Sequence, residues 1–95
     1  MTNKRSPKIQ TRIPFFVFLE GDAYVAYSPA LDLSTCGDTE EEARRMFGEA
    51  ARVFINELTR MGTLEDVLAE CGWTRAKPAH TWSPPIYKQD FVEIA

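Results

Sequence analysis

Along the first third of the chain, apolar and polar positions alternate. Ile9, Thr11, Ile13, Phe15, Val17 and Leu19 share one parity, and Gln10, Arg12, Pro14, Phe16, Phe18 and Glu20 the other, which is the two-residue period of a β-strand. In the second half of this run Phe16 and Phe18 make the opposite face apolar too. The strand is therefore either covered on both sides or presents an aromatic patch to a partner. Pro14 has no N–H to give to a ladder, so the strand lies at a sheet edge or pairs regularly only after it. Glu20-Gly21-Asp22-Ala23 breaks the pattern with a glycine, and Tyr24-Val25-Ala26-Tyr27 resumes it, which predicts a hairpin. Beyond Ser28-Pro29, Leu31, Leu33 and Thr35 alternate with Asp32, Ser34 and Cys36 as a third short strand.

At Gly37-Asp38-Thr39 the period changes. Thr39 followed by Glu42 is a capping box that opens a helix, and Glu40, Glu41 and Glu42 fall where the helix dipole favours negative charge. Ala43, Met46, Phe47, Ala50, Val53, Phe54, Leu58 and Met61 recur at steps of three and four as an apolar stripe. Arg44, Arg45, Glu49, Arg52, Glu57 and Arg60 lie mainly off it, with Glu40–Arg44 and Glu41–Arg45 spaced for ion pairs. Gly48 interrupts the helix at a cost of about 1 kcal/mol relative to alanine, which close packing against the sheet would explain. Gly62 ends the helix. A second cap, Thr63 with Asp66, opens a short helix through Leu64, Val67, Leu68 and Cys71 that Gly72 terminates.

These elements predict an α+β domain: a three-stranded antiparallel sheet packed on one long helix, in the order β-β-β-α, plus a short second helix. Residues 1–8 are polar and aperiodic, as a disordered N-terminus would be, and residues 9–72 form the domain. Residues 73–95 form an irregular segment that mixes Trp73 and Trp82 with Pro78, Pro84 and Pro85. Ile86 to Ile94 has the composition of a further, C-terminal strand but alternates poorly.

Composition narrows the function. The 95 residues are 44% hydrophobic and 26% charged, enough for one folded core and no second module. A formal net charge of −3 disfavours a protein that wraps nucleic acid and suits a basic partner surface. No apolar run has the length of a membrane span or an uninterrupted signal-peptide core, so a cytoplasmic protein is expected. The two cysteines, Cys36 and Cys71, form no CxxC pair, and the five glycines make no phosphate-binding spacing. His80, the single histidine, has no carboxylate or cysteine near it in sequence to orient it. Glu20, Asp22, Asp32 and Asp38 sit at turns and strand ends, where Asp bonds the local backbone. No catalytic residue, cofactor or metal site is expected, and the chain is not expected to be an enzyme.

Tyr24-Val25-Ala26-Tyr27-Ser28-Pro29-Ala30-Leu31, followed by Gly37-Asp38-Thr39-Glu40-Glu41-Glu42-Ala43, resembles the HicB-like antitoxin family. That family's strand ends in Tyr-x-Pro-x-Leu and its helix opens with Gly-x-Thr-x-x-Glu-Ala; the resemblance spans about Ile13 to Gly72. It implies a truncated ribonuclease-H-like fold without that fold's catalytic carboxylates. It also implies a neutralising partnership with a HicA-type toxin, a small basic ribonuclease. Asp32-Leu33 stands where family members place Pro-Gly. Residues 73–95, with Arg75, Lys77 and Lys88 as their only basic side chains, resemble neither DNA-binding segment that many members carry, so direct DNA binding is not expected.

The expected interface residues are the aromatics Phe16, Phe18, Trp73 and Trp82 as anchors, with Glu20 and Asp22 steering a basic partner. For the tryptophans the alternative is that they cover the open edge of a small core. Because one helix covers one sheet face, a homodimer or higher oligomer joined through Phe16 and Phe18 is also expected. The competing functions are an orphan HicB-fold domain that only self-associates and, resting on fold analogy alone, a metal-dependent nuclease.

Overall fold

The computed structural model describes residues 12–76 and 81–94. The tail assigned to residues 1–8, the strand start at Ile9 and His80 lie outside the described residues. Three strands, β1 (Phe16–Glu20), β2 (Ala23–Ser28) and β3 (Leu33–Gly37), form an antiparallel sheet in the order β1-β2-β3. Pairing runs from Phe16↔Tyr27 to Glu20↔Ala23, and from Tyr24↔Gly37 to Ser28↔Leu33. Arg12 to Phe15 precede the ladder without joining it. Pro14 is the reason, for it lacks the N–H, and its carbonyl accepts a 2.7 Å bond from the Ser28 hydroxyl. The hairpin turns at Gly21, φ 63°, a left-handed conformation that glycine adopts freely. Asp32 takes a similar one at φ 54°, as Asp tolerates better than most residues, and so shapes the loop that leads into β3.

Helix α1 (Glu40–Met61) packs across β2 and β3. Its cap forms as a reciprocal pair: Thr39 Oγ1 accepts from Glu42 N at 3.0 Å, and Glu42 Oε1 accepts from Asp38 N at 2.7 Å. The buried stripe is narrower than the periodicity suggests. Ala43, Phe47 and Ala51 are buried with Phe54, Ile55 and Leu58 half-buried beside them, while Met46, Val53 and Met61 are exposed. Met46 and Val53 sit about 100° or more round the helix from Phe47 at 100° per residue, too far to reach the sheet. Glu40 pairs with Arg44 at 2.7 Å as expected, but Arg45 turns to Glu49 instead of Glu41.

Small residues set the closeness of α1 to the sheet. Ala26 and Ala43 are fully buried, and a Cβ on Gly37 would lie 2.8 Å from the Ala43 backbone nitrogen and 3.0 Å from Glu42 Cβ. Gly48 differs: a Cβ there would meet only the flexible Arg52 side chain, at 3.6 Å. Its glycine is therefore not explained by packing against the sheet.

α1 ends in a Schellman motif, with Gly62 at φ 77°, Gly62 N bonding Thr59 O and Thr63 N bonding Leu58 O. The next helix, α2 (Leu64–Glu70), starts on the following residue without the Thr63–Asp66 cap. Thr63 has ψ 7° rather than an extended value because its backbone completes the α1 terminus, and its hydroxyl is left buried without a partner. α2 closes in a second Schellman motif, Trp73 N bonding Leu68 O across Gly72 at φ 91°. Two further strands, β4 (Thr74–Ala76) and β5 (Thr81–Ser83), then form a small antiparallel sheet of their own. The C-terminal strand at 86–94 does not form: that segment joins neither sheet. Pro84 and Pro85 precede it, and its irregular pattern offers no single face to bury.

Substitution at two glycines should shift stability in opposite directions. Gly48→Ala should stabilise by up to about 1 kcal/mol, and Gly37→Ala should destabilise by about 1–3 kcal/mol through overpacking against α1. Thermal unfolding followed by circular dichroism reads both, as melting temperatures above and below the parent's.

Candidate functional site

Strand register decides what lies on the face away from α1. With Glu20 opposite Ala23, Phe18 opposes Val25 and Phe16 opposes Tyr27. Across β2, Val25 then faces Cys36 and Tyr27 faces Ser34. These residues share one face because side chains alternate along a strand. Phe16 and Phe18 are 49% and 46% exposed, so each ring rests on the sheet with about half its surface uncovered. Val17 and Ala26, of the other parity, face the helix, where Phe15 stacks on Phe47 at a centroid distance of 4.5 Å.

Acidic groups gather at one end of this face. Glu20 and Asp22 flank the β1–β2 turn. Gly37 pairs with Tyr24, so Asp38 and the first turn of α1, with Glu40, Glu41 and Glu42, come to the same end. Arg44 partly neutralises this group through Glu40, in a solvent-exposed pair of small energetic weight.

At the opposite end of the face, Tyr27 Oη donates to Asp32 Oδ1 at 3.2 Å. Partial desolvation, reinforced by that carboxylate, raises the Tyr27 phenol above its ordinary pKa. Cys71 is raised first by burial, then by Asp32 and Glu70, and Tyr87 by burial and then by Cys71. Tyr27 thus lies within electrostatic reach of Asp32, Cys71 and Tyr87, a grouping that their spread over 61 positions hides, 27 to 87. A thiol held protonated is a poor nucleophile, since the thiolate is the reactive form. Among the described residues, no three His, Cys, Asp or Glu side chains come together as a metal site would need.

Of the six expected interface residues, the structure brings Phe16, Phe18, Glu20 and Asp22 to one face and its rim. Trp73 and Trp82 do not join them. They are 4% and 6% exposed and belong to the core, where Trp73 Nε1 donates to Ala30 O at 2.7 Å. Trp82 pairs opposite Arg75 in the β4–β5 sheet, with the guanidinium 6.0 Å above its ring. At that burial they seal the core edge beyond α2, the alternative to partner anchors. Val25 and Tyr27 belong to the face and were legible in principle, because a two-residue turn at Gly21-Asp22 fixes which residues oppose Phe18 and Phe16.

Comparison of the chain with protein-family models, with curated proteins and with solved structures gave no match. Among the described residues, no helix is long and apolar enough to cross a membrane.

The two thiols should differ in reactivity. Cys36 is exposed on the open face, whereas Cys71 is half-buried with its pKa raised. Limited treatment with a maleimide near neutral pH should label Cys36 first, as read by peptide mass spectrometry. Raising the pH should narrow the difference as the Cys71 thiolate forms.

Proposed function

We propose that this chain is a protein-binding domain that neutralises a small basic partner by covering that partner's active surface. The model for the reading is the HicB-like antitoxin acting on a HicA-type ribonuclease. The observation that carries it is the open sheet face, where Phe16 and Phe18 stand half uncovered beside an acidic rim. Such a face suits association with a basic surface: rim charges accelerate the encounter, and desolvated aromatics hold the complex. The resemblance in sequence supports the fold side of this reading. Its motif residues have structural uses, with Ser28 and Leu31 buried, Gly37 in close approach to α1 and Thr39 capping it. A fold alone does not carry a function, so the partner is argued from the face.

The test is co-expression with a short basic protein encoded in the neighbouring reading frame, followed by binding kinetics on the purified pair. Phe18→Ala should cost at least about 2 kcal/mol, roughly 30-fold in affinity, chiefly through faster dissociation. Glu20→Gln and Asp22→Asn should instead slow association and flatten its salt dependence. The purified protein by itself, with magnesium or manganese, should hydrolyse neither RNA nor DNA. Binding unchanged by Phe18→Ala in a folded variant would place the contact elsewhere, and nuclease activity lost on Asp32→Asn would overturn the binding-only reading.

A further inference from the structure

Residues 84–94 have no regular secondary structure, yet they carry the most exposed apolar side chains described: Ile86, Phe91, Val92 and Ile94, at 86%, 83%, 80% and 83%. Single exposed hydrophobic residues are ordinary, but four within nine residues make an arm that wants a surface. At the base of the arm lies an open groove of about 730 Å³. Ile13, Phe15 and Phe16 line one side, and Pro85, Ile86 and Tyr87 the other. Arg12 sits at its wall, exposed and in no ion pair with a described residue. The arm's tip carries the opposite charge, with Asp90 and Glu93 bracketing Phe91-Val92.

We propose that this groove receives the Phe91–Ile94 tip of a second copy of the chain, two chains exchanging arms reciprocally. Apolar tip and apolar groove match, and Arg12 meets Asp90 or Glu93. The area suffices. An aromatic side chain alone buries about 150–250 Å², so one tip at these exposures offers roughly 500 Å². Two tips then offer about 1,000 Å², and with the smaller walls of the two grooves the contact comes to the lower end of a standard interface, about 1,200 Å². A tip is poorly placed to enter its own groove. Only Lys88, Gln89 and Asp90 separate it from the groove-lining Tyr87, and that link has no glycine or proline to reverse the chain. Exchange between two copies is isologous and closes on itself, so it yields a dimer and not a filament. The groove shares Phe16 with the open face, whereas Phe18 lies outside it.

Sedimentation velocity across micromolar to hundred-micromolar concentrations tests this. The parent should be a dimer. Phe91→Asp should be a monomer with the parent's far-UV circular dichroism, since Phe91 is 83% exposed and touches no core. Arg12→Glu should weaken dimerisation at least about tenfold, and combining it with Glu93→Arg should restore it by re-forming the pair. Phe18→Asp, on the open face but outside the groove, should remain dimeric. A parent that stays monomeric throughout overturns the proposal, as does a dimer that survives Phe91→Asp. A dimer lost on Phe18→Asp in a folded variant would also overturn it, by placing the contact on the sheet face.

Discussion

From the end of β2 into its link to β3 the chain runs through the interior: Ser28 and Ala30 are fully buried and Leu31 is 2% exposed. A buried connection must have its backbone polar groups paired, because no water can take them. One partner is local, the Ser28 hydroxyl, and one distant, the Trp73 indole. The Ser28 hydroxyl donates to Pro14 O and accepts from Ala30 N, and the Trp73 indole donates to Ala30 O. One loop thus ties the lead-in to β1, the sheet and the segment beyond α2 into a common core. An unpaired buried carbonyl at Ala30 would cost about 1–3 kcal/mol, a large share of what a domain this small can hold in reserve.

The position of Trp73 follows from helix termini placed in series. α1 ends at Gly62, and its final bond uses the backbone of Thr63, the residue from which α2 must begin. The second helix is therefore turned back after a single residue, at the expense of its side-chain cap. Its own left-handed terminus at Gly72 then directs the chain so that Trp73 enters the core. Close approach of α1 to the sheet, allowed by Ala26, Gly37 and Ala43, determines how much interior there is to enter.

A core arranged this way has one covered sheet face. The other keeps Phe16, Phe18, Val25 and Tyr27 on a surface that nothing in the chain's described residues encloses, with carboxylates at one end. The arm carries the remaining apolar surface away from the core, and the groove at its base joins the open face through Phe16. Near Asp32, burial and that carboxylate raise the Tyr27 phenol and the Cys71 thiol above their ordinary pKa values.

Local signals in the sequence determined the elements. Alternation marked β1 to β3, the glycine turn set the hairpin, and the Thr39–Glu42 cap and Gly62 bounded α1, because each depends on residues within one turn or one strand pair. The parity of Phe16 and Phe18 likewise identified the open face. What the tertiary structure alone decided were matters of distance in space. Trp73 and Trp82 read as well for an interface as for a core, and only their burial in the folded chain, with Trp73 bonded to Ala30 43 positions away, showed that they are interior. The strand at 86–94 failed for a related reason. A strand needs an edge to pair with as well as β-prone residues, and composition does not say whether an edge is within reach. The cap at Thr63 was overridden by the helix before it, whose terminus competed for the same backbone.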